Sequence, residues 1–321
     1  MYFDELVRER DTVLAVQKPI DRGNVKALTR EGELVEGKMI IENWRLTKGE
    51  EELTLRLGDK RFKLIRRLGH DIIEWEGKRI IGRALFADRW TGSFLPFHDF
   101  EKGRLLMIRD EEEEVLLSDV GRILPCTSRR CGGVTSIAFF ETSSSGTKLY
   151  RLDVEGRLRH VESWSVRVEG VTPSGTAYSC LTPEECVFID CNGLSVRIKH
   201  SISLFSNATI LNEEWVAFEV IKNDERSYTR LLLLNSEGDF DFLTPYAGIA
   251  DPVVVDALNG IYMVHGVKKG MNGIYVFSQG YYDVVASFVS QSIMPEDAIL
   301  AGDGKVFLLQ NGKVREFEIT A

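Results

Sequence analysis

Residues 148-KLYRLDVEGRLRHV-161 read as a strand, a turn centred on Gly156 and a second strand. Apolar and polar side chains alternate over 149-LYRLDV-154, the period of a strand with one wet face. Glycine at the turn supplies the positive φ that a tight hairpin demands. The same pattern returns as 25-VKALTREGELVEGKMI-40, 72-IIEWEGKRIIGRAL-85, 186-CVFIDCNGLSVRIKH-200, 230-RLLLLNSEGDFDFL-243, 273-GIYVFSQGYYDVVAS-287 and 305-KVFLLQNGKVREFEI-319. Continuous apolar runs such as 231-LLLL-234 suit a strand sandwiched between neighbouring sheets.

The turn glycines Gly32, Gly77, Gly156, Gly193, Gly238, Gly280 and Gly312 mostly lie roughly 35 to 45 residues apart, a period that marks a repeated unit of about four strands. Further strand candidates, 53-LTLRL-57, 62-FKLIRRL-68, 134-VTSIAFFE-141, 215-WVAFEVI-221 and 261-IYMVHGV-267, would complete the units, and helical periodicity is nearly absent. On these hairpins the chain resembles the β-propeller superfamily, at the level of architecture and over essentially its whole length. It has no Trp-Asp dipeptide closing its blades, no paired glycines at a kelch spacing and no Ser-x-Asp-x-Gly-x-Thr-Trp box, so no residue role carries over from a marked family.

The expectation is therefore an all-β propeller of seven blades, with eight as the alternative. The N- and C-terminal strands would close the ring by pairing in one sheet, which removes free edges. A single domain over 1–321 is expected, irregular at about 86–132, where 105-LLMIRDEEEEVLLS-118 turns on acids instead of glycine.

The 321 residues are 44% apolar and 28% charged, enough to bury a core. A net charge of −9 argues against broad nucleic-acid binding, which needs clustered Lys and Arg. No apolar run approaches the roughly 20 residues of a membrane helix, and the charged start MYFDELVRERD reads as neither signal nor transit peptide. A cytoplasmic protein beginning near Met1, with no membrane partner, is the resulting expectation. Scarce Gln beside plentiful Glu, Lys and Arg is the lean of proteins from hot habitats.

No complete tetrahedral set of ligands is evident, so no metal and no cofactor are expected. Cys126 and Cys131 form a C-x4-C pair read as a zinc half-site, a loop bridge or reduced thiols; Cys180 and Cys186 flank a turn and face one another if it is a hairpin. The five histidines are scattered and lack a Gly-x-Ser-x-Gly elbow, so no catalytic residue is assigned. The segment 90-WTGSFLPFHDF-100 is the densest aromatic and polar cluster, and Trp90, Phe97, His98 and Asp99 are its candidate binding residues. The competing reading packs these rings inside the fold. The basic stretches 61-RFKLIRR-67 and 128-SRR-130 are read as contacts for an acidic partner or as solvated strand faces.

These features favour a non-catalytic platform that binds another macromolecule, most plainly a protein. The alternative is a hydrolase or lyase with its site in a central channel. The composition of the innermost strands separates the two: small and apolar for a platform, convergent acids, His and Arg for an enzyme.

Overall fold

The computed structural model describes residues 16–18, 26–28, 30–36, 39–47, 50–86, 90, 92–109, 112–126, 136–199, 207–222, 228–243, 247–278, 284–310 and 313–319. The chain gathers into two compact units. The first holds the residues up to 26, 36–121 and 153–158, the second 27–35, 122–152 and those from 159 onward. The seam at Gly121 falls inside the stretch where the sequence repeat is weakest.

Strands β1 (Val16–Lys18), β2 (Lys26–Leu28), β3 (Leu34–Glu36), β4 (Met39–Thr47), β5 (Glu50–Leu57), β6 (Lys60–Arg67), β7 (His70–Trp75), β8 (Lys78–Ala84), β9 (Leu95–Asp99), β10 (Arg104–Ile108) and β11 (Glu113–Leu117) come first. All but β2 and β3 form one nine-stranded antiparallel sheet, in the order β1-β4-β5-β6-β7-β8-β9-β10-β11. Its turns are too tight to let the chain leave. Leu57 pairs with Lys60, Arg67 with His70 and Trp75 with Lys78, so only two residues separate successive strands. Only the last of these has both turn residues at positive φ, Glu76 at 46° and Gly77 at 79°.

One face of this sheet buries Leu53, Leu55, Leu57, Phe62, Leu64 and Ile73. The other carries ion pairs between strands, with Arg61 on Glu42 across β5 at 2.7 Å, Lys63 on Glu52 at 3.1 Å and Arg67 on Glu50 at 3.0 Å, while Arg66 meets Glu51 at 3.4 Å at the edge of the apolar face. The basic stretch 61–67 is thus neutralised by the sheet itself, although each exposed pair contributes under about 1 kcal/mol.

The second unit contains five successive antiparallel sheets. They are β12 (Arg122–Cys126), β13 (Ser136–Ser143), β14 (Gly146–Asp153) and β15 (Leu158–Trp164); then β16 (Gly170–Val171), β17 (Ala177–Thr182), β18 (Glu185–Ile189) and β19 (Ser195–Ile198). Next come β20 (Asn207–Ile210), β21 (Trp215–Lys222), β22 (Tyr228–Asn235) and β23 (Phe240–Phe242), and β24 (Ala250–Leu258), β25 (Ile261–Lys268), β26 (Met271–Phe277) and β27 (Val284–Val289). The last is three-stranded among the described residues: β28 (Ala298–Leu300), β29 (Lys305–Gln310) and β30 (Lys313–Glu318).

Each sheet packs on the next through its own core. The four leucines of 231–234 show how: period two sends Leu231 and Leu233 into a cluster with Val264, Tyr275 and Phe277 of the fourth sheet. Leu232 and Leu234 face the opposite way, into Phe188, Val196 and Ile198 of the second. Both faces are apolar because both are covered. Leu124, Phe140 and Leu149 meet Val187 and Ile189 between sheets one and two, and Met263, Ile274 and Val276 meet Val306 and Leu308 between sheets four and five.

These sheets are propeller blades, and there are five of them instead of the seven or eight expected. The hairpins around Gly77 and at 105–118 belong to the nine-stranded sheet, while that around Gly32 is the separate pair β2–β3. A glycine turn marks a hairpin, whereas a blade boundary needs the chain to quit the sheet after its last strand. Hairpin spacing therefore overcounts wherever a meander simply continues.

Gly280 and Gly312 lie outside the described residues. Pairing of N- and C-terminal strands in one sheet is likewise not formed among the described strands, since β2 and β3 hydrogen-bond only to each other. Leu28 instead packs by its side chain against Ile299, Ala301 and Phe307 of the last sheet.

Five turns of the blades are one residue longer than the tight turns of the nine-stranded sheet. In 153–157, 172–176, 190–194, 235–239 and 301–305 the first N–H donates to the carbonyl four places along, and the glycine N–H donates back to the first carbonyl. Only the glycine has positive φ, 92° at Gly156, 89° at Gly175, 96° at Gly193, 93° at Gly238 and 81° at Gly304. This is a type I turn followed by a left-handed glycine, a three-residue loop. Asp153, Asp190 and Asn235 reinforce it, each side chain accepting from the N–H groups two and four places on. At Asp190, burial pushes the carboxyl up despite these bonds; at Asp153, burial is outweighed by the N–H and guanidinium of Arg157, which hold it down.

Among the described residues no helix is long and apolar enough to cross a membrane.

Candidate functional site

The segment Trp90–Phe100 leads into and forms β9. Trp90 is 1% exposed, Phe97 1%, His98 4% and Asp99 2%; among the segment's described aromatic side chains Phe100 alone is exposed. The indole N–H of Trp90 donates to the Phe94 carbonyl at 2.8 Å, and its ring meets Phe94 edge to face at 5.3 Å. The ring lies so close to Gly92 that a Cβ there would stand 2.3 Å from it, so the glycine makes room for the indole. Asp99 accepts from the N–H groups of Glu101 and Lys102 and pairs with Arg104 at 3.3 Å, which fixes the turn into β10.

His98 meets Phe100 edge to face at 5.0 Å, and its Nδ1 is buried without a hydrogen-bond partner among the described residues. Burial drives its pKa down to about 4 from 6.5, against the opposing charge of Asp99 and with help from Arg83. Between those values the folded state binds fewer protons than the unfolded one, so stability falls as pH drops through 6.5 and the loss is complete near 4. The expected cost is about 3 kcal/mol. His98→Leu should remove this component: the difference in urea midpoint between wild type and variant should shift in the variant's favour from pH 7 to 4.5. Parallel midpoint curves would contradict it.

In the second unit the first strands of adjacent blades lie side by side. Their side chains are mostly small or apolar: Ile123, Leu124 and Cys126 on β12, Val171 on β16, Ala208 and Ile210 on β20, and all of β28. The polar members are engaged in holding backbone. Asn207 accepts from the N–H of Ser174 at 2.9 Å. Asp256 on β24, 2% exposed, accepts both guanidinium nitrogens of Arg30 at 3.0 Å and the N–H of Leu300 at 3.0 Å. Arg30, at the β2–β3 turn, also donates to the Leu300 carbonyl at 2.7 Å. Nearby Arg151 on β14 donates to the Cys191 carbonyl at 3.0 Å and to Asn192 at 3.2 Å, and burial lowers its pKa.

A different surface gathers side chains of binding type. Strands β21 and β22 are eight residues long, β20 four and β23 three, so the central hairpin of the third blade outruns its neighbours. Leu232 pairs with Phe242 and Leu234 with Phe240, which places Tyr228, Arg230, Phe240 and Phe242 on one face. The Arg230 guanidinium lies over the Tyr228 ring at 5.0 Å and the Phe242 ring at 5.7 Å, and it donates to the Tyr228 hydroxyl at 2.7 Å. Phe240 is 59% exposed and meets Phe242 edge to face at 6.3 Å. Sequence reasoning passed over this group, although its signal is the period-two spacing Tyr-x-Arg and Phe-x-Phe on the two arms of one hairpin.

Cys180 and Cys186 are directly opposed across the β17–β18 hairpin and form a disulfide. Cys191 is also disulfide-bonded, while Cys126 is a buried free thiol whose pKa burial raises. The facing of Cys180 and Cys186 that a hairpin at 181–185 implies is thus present. Cys131 and the stretch 128–130 lie outside the described residues.

No known protein family and no curated protein matches the chain in sequence. Among solved structures it is similar to TolB from Acinetobacter baumannii, at 14% identity and a TM-score of 0.27 over 73% of this chain and 62% of that one, so it spans less than two thirds of TolB. It is similar to the Nup133 β-propeller domain of Vanderwaltozyma polyspora, at 9% identity and a TM-score of 0.31 over 78% and 89% of the two chains. A third likeness is to an inactive virginiamycin B lyase from Staphylococcus aureus, at 10% identity and a TM-score of 0.32 over 94% and 98%. At these scores the likenesses carry no argument about activity, and the blade architecture rests on this chain's own sheets.

Proposed function

We propose that the protein is a non-catalytic platform that binds another protein through its blades. The supporting observation is the make-up of the first strands. The positions where a propeller enzyme would converge acids and bases hold Ile123, Leu124, Ala208, Ile210, Ala298 and Leu300, and the buried carboxylate among them, Asp256, is tied to Arg30 and Leu300. A carboxylate accepting a bidentate guanidinium and a backbone N–H is a structural clamp, with its lone pairs spent. The net charge of −9 and the pairing of the β6 cations with glutamates disfavour nucleic acid as the partner.

The test has two arms. Purified protein should show no turnover on a panel of esterase, glycosidase, phosphatase and lyase substrates, and a partner cross-linked in cells of the source organism should form a defined complex when both are purified and co-eluted in gel filtration. Turnover abolished by Asp190→Asn or Asp256→Asn without loss of fold would overthrow the platform reading.

A further inference from the structure

We infer that the face of the β22–β23 hairpin bearing Tyr228, Arg230, Phe240 and Phe242 is a docking surface for a protein segment that carries a carboxylate beside an apolar side chain. The inference rests on the platform reading and names the surface and partner chemistry that reading leaves open.

Three features carry it. The first is charge. Among the described residues no carboxylate pairs with Arg230, whose contacts are two rings and the Tyr228 hydroxyl. The cations of β6 in the same protein are, by contrast, each paired with a glutamate. A guanidinium presents five donors in one plane, of which Tyr228 takes one, so several remain for a planar acceptor.

The second is pre-organisation. The rings of Tyr228 and Phe242 hold the guanidinium in place before any ligand arrives, which lowers the entropy cost of fixing a long side chain on binding. The third is the neighbouring apolar ground. Phe240 presents a largely exposed ring against Phe242, one ring beyond the cation. Tyr, Phe and Arg together are the residue types that carry binding energy at protein interfaces. A carboxylate answers the guanidinium bidentately, and an apolar side chain next to it in sequence answers Phe240.

The probe is a displayed library of random peptides about 12 residues long, panned on the full-length protein, with the strongest peptides then synthesised and titrated by fluorescence anisotropy. The expected result is enrichment of Asp or Glu within about two positions of Phe, Trp, Leu or Ile. Binding should weaken about tenfold or more in Arg230→Gln and in Phe240→Ser, and also in Arg230→Lys, which keeps the charge but loses the planar fork. Circular dichroism melts of the three variants should overlay the wild type, and Phe240→Ser serves as an independent arm because its ring projects to solvent.

Selected peptides lacking acids, an empty selection, or equal binding to wild type and Arg230→Gln would overturn the inference. Equal binding would leave the platform reading standing, whereas the turnover described above would remove it separately. A short oligo-dT that binds wild type and not Arg230→Gln would reassign the surface to nucleic acid and overturn the inference as well.

Discussion

Replacing Trp90 by Ala should lower the unfolding free energy by about 4 kcal/mol, the scale of a fully buried indole removed without refilling the space. The residue is 1% exposed, so almost all of its apolar surface is lost from water on folding. Its N–H satisfies the Phe94 carbonyl at 2.8 Å, and that acceptor would be left to find water inside the fold. Trp90→Phe keeps most of the ring and loses the hydrogen bond, so it should cost less than half as much. Urea titration followed by circular dichroism measures both. A Trp90→Ala protein with an unchanged midpoint would mean that the indole is not core and would restore this segment as a surface anchor.

The second large effect concerns the clamp between Arg30 and Asp256. Arg30→Ala leaves a carboxylate that is 2% exposed without its counter-charge, and removal of one partner from a buried pair costs about 3–5 kcal/mol. Arg30→Lys should recover only part of this, because an ammonium cannot meet both carboxylate oxygens and the Leu300 carbonyl in one planar fork. The double change Arg30→Met with Asp256→Leu should be milder than either Arg30→Ala or Asp256→Ala, since the desolvation penalty disappears together with the attraction. A double variant as unstable as the sum of its singles would show that the two side chains act independently.

The clamp also shows what a tertiary structure adds. Arg30 and Asp256 stand 226 residues apart in sequence, and no spacing rule pairs them. Once β2–β3 lies against the last blade through Leu28, the fork and the carboxylate fall within hydrogen-bond reach. The same holds for the ion pairs on the nine-stranded sheet: 61-RFKLIRR-67 reads as a basic patch until the sheet brings Glu50, Glu51 and Glu52 of β5 and Glu42 of β4 within reach. Arg230 is the reverse case, a cation that register surrounds with rings instead of acids.

What the sequence determined by itself was local. Alternation, β-branched runs and turn glycines marked the hairpins at 148–161, 186–200 and 230–243, and all three form where they were read. The four leucines at 231–234 correctly announced a strand covered on both sides. Periodicity is a property of a few neighbouring residues, so it survives without knowledge of the rest of the chain.

Blade number did not follow, because it depends on where hydrogen bonding between successive hairpins stops. From β4 to β11 it never stops, and only the tight turns and strand register reveal that. Burial of the Trp90–Phe100 segment is likewise a tertiary fact: an aromatic cluster has the same composition whether it faces a core or a partner, and the side on which the sheet folds over decides between them.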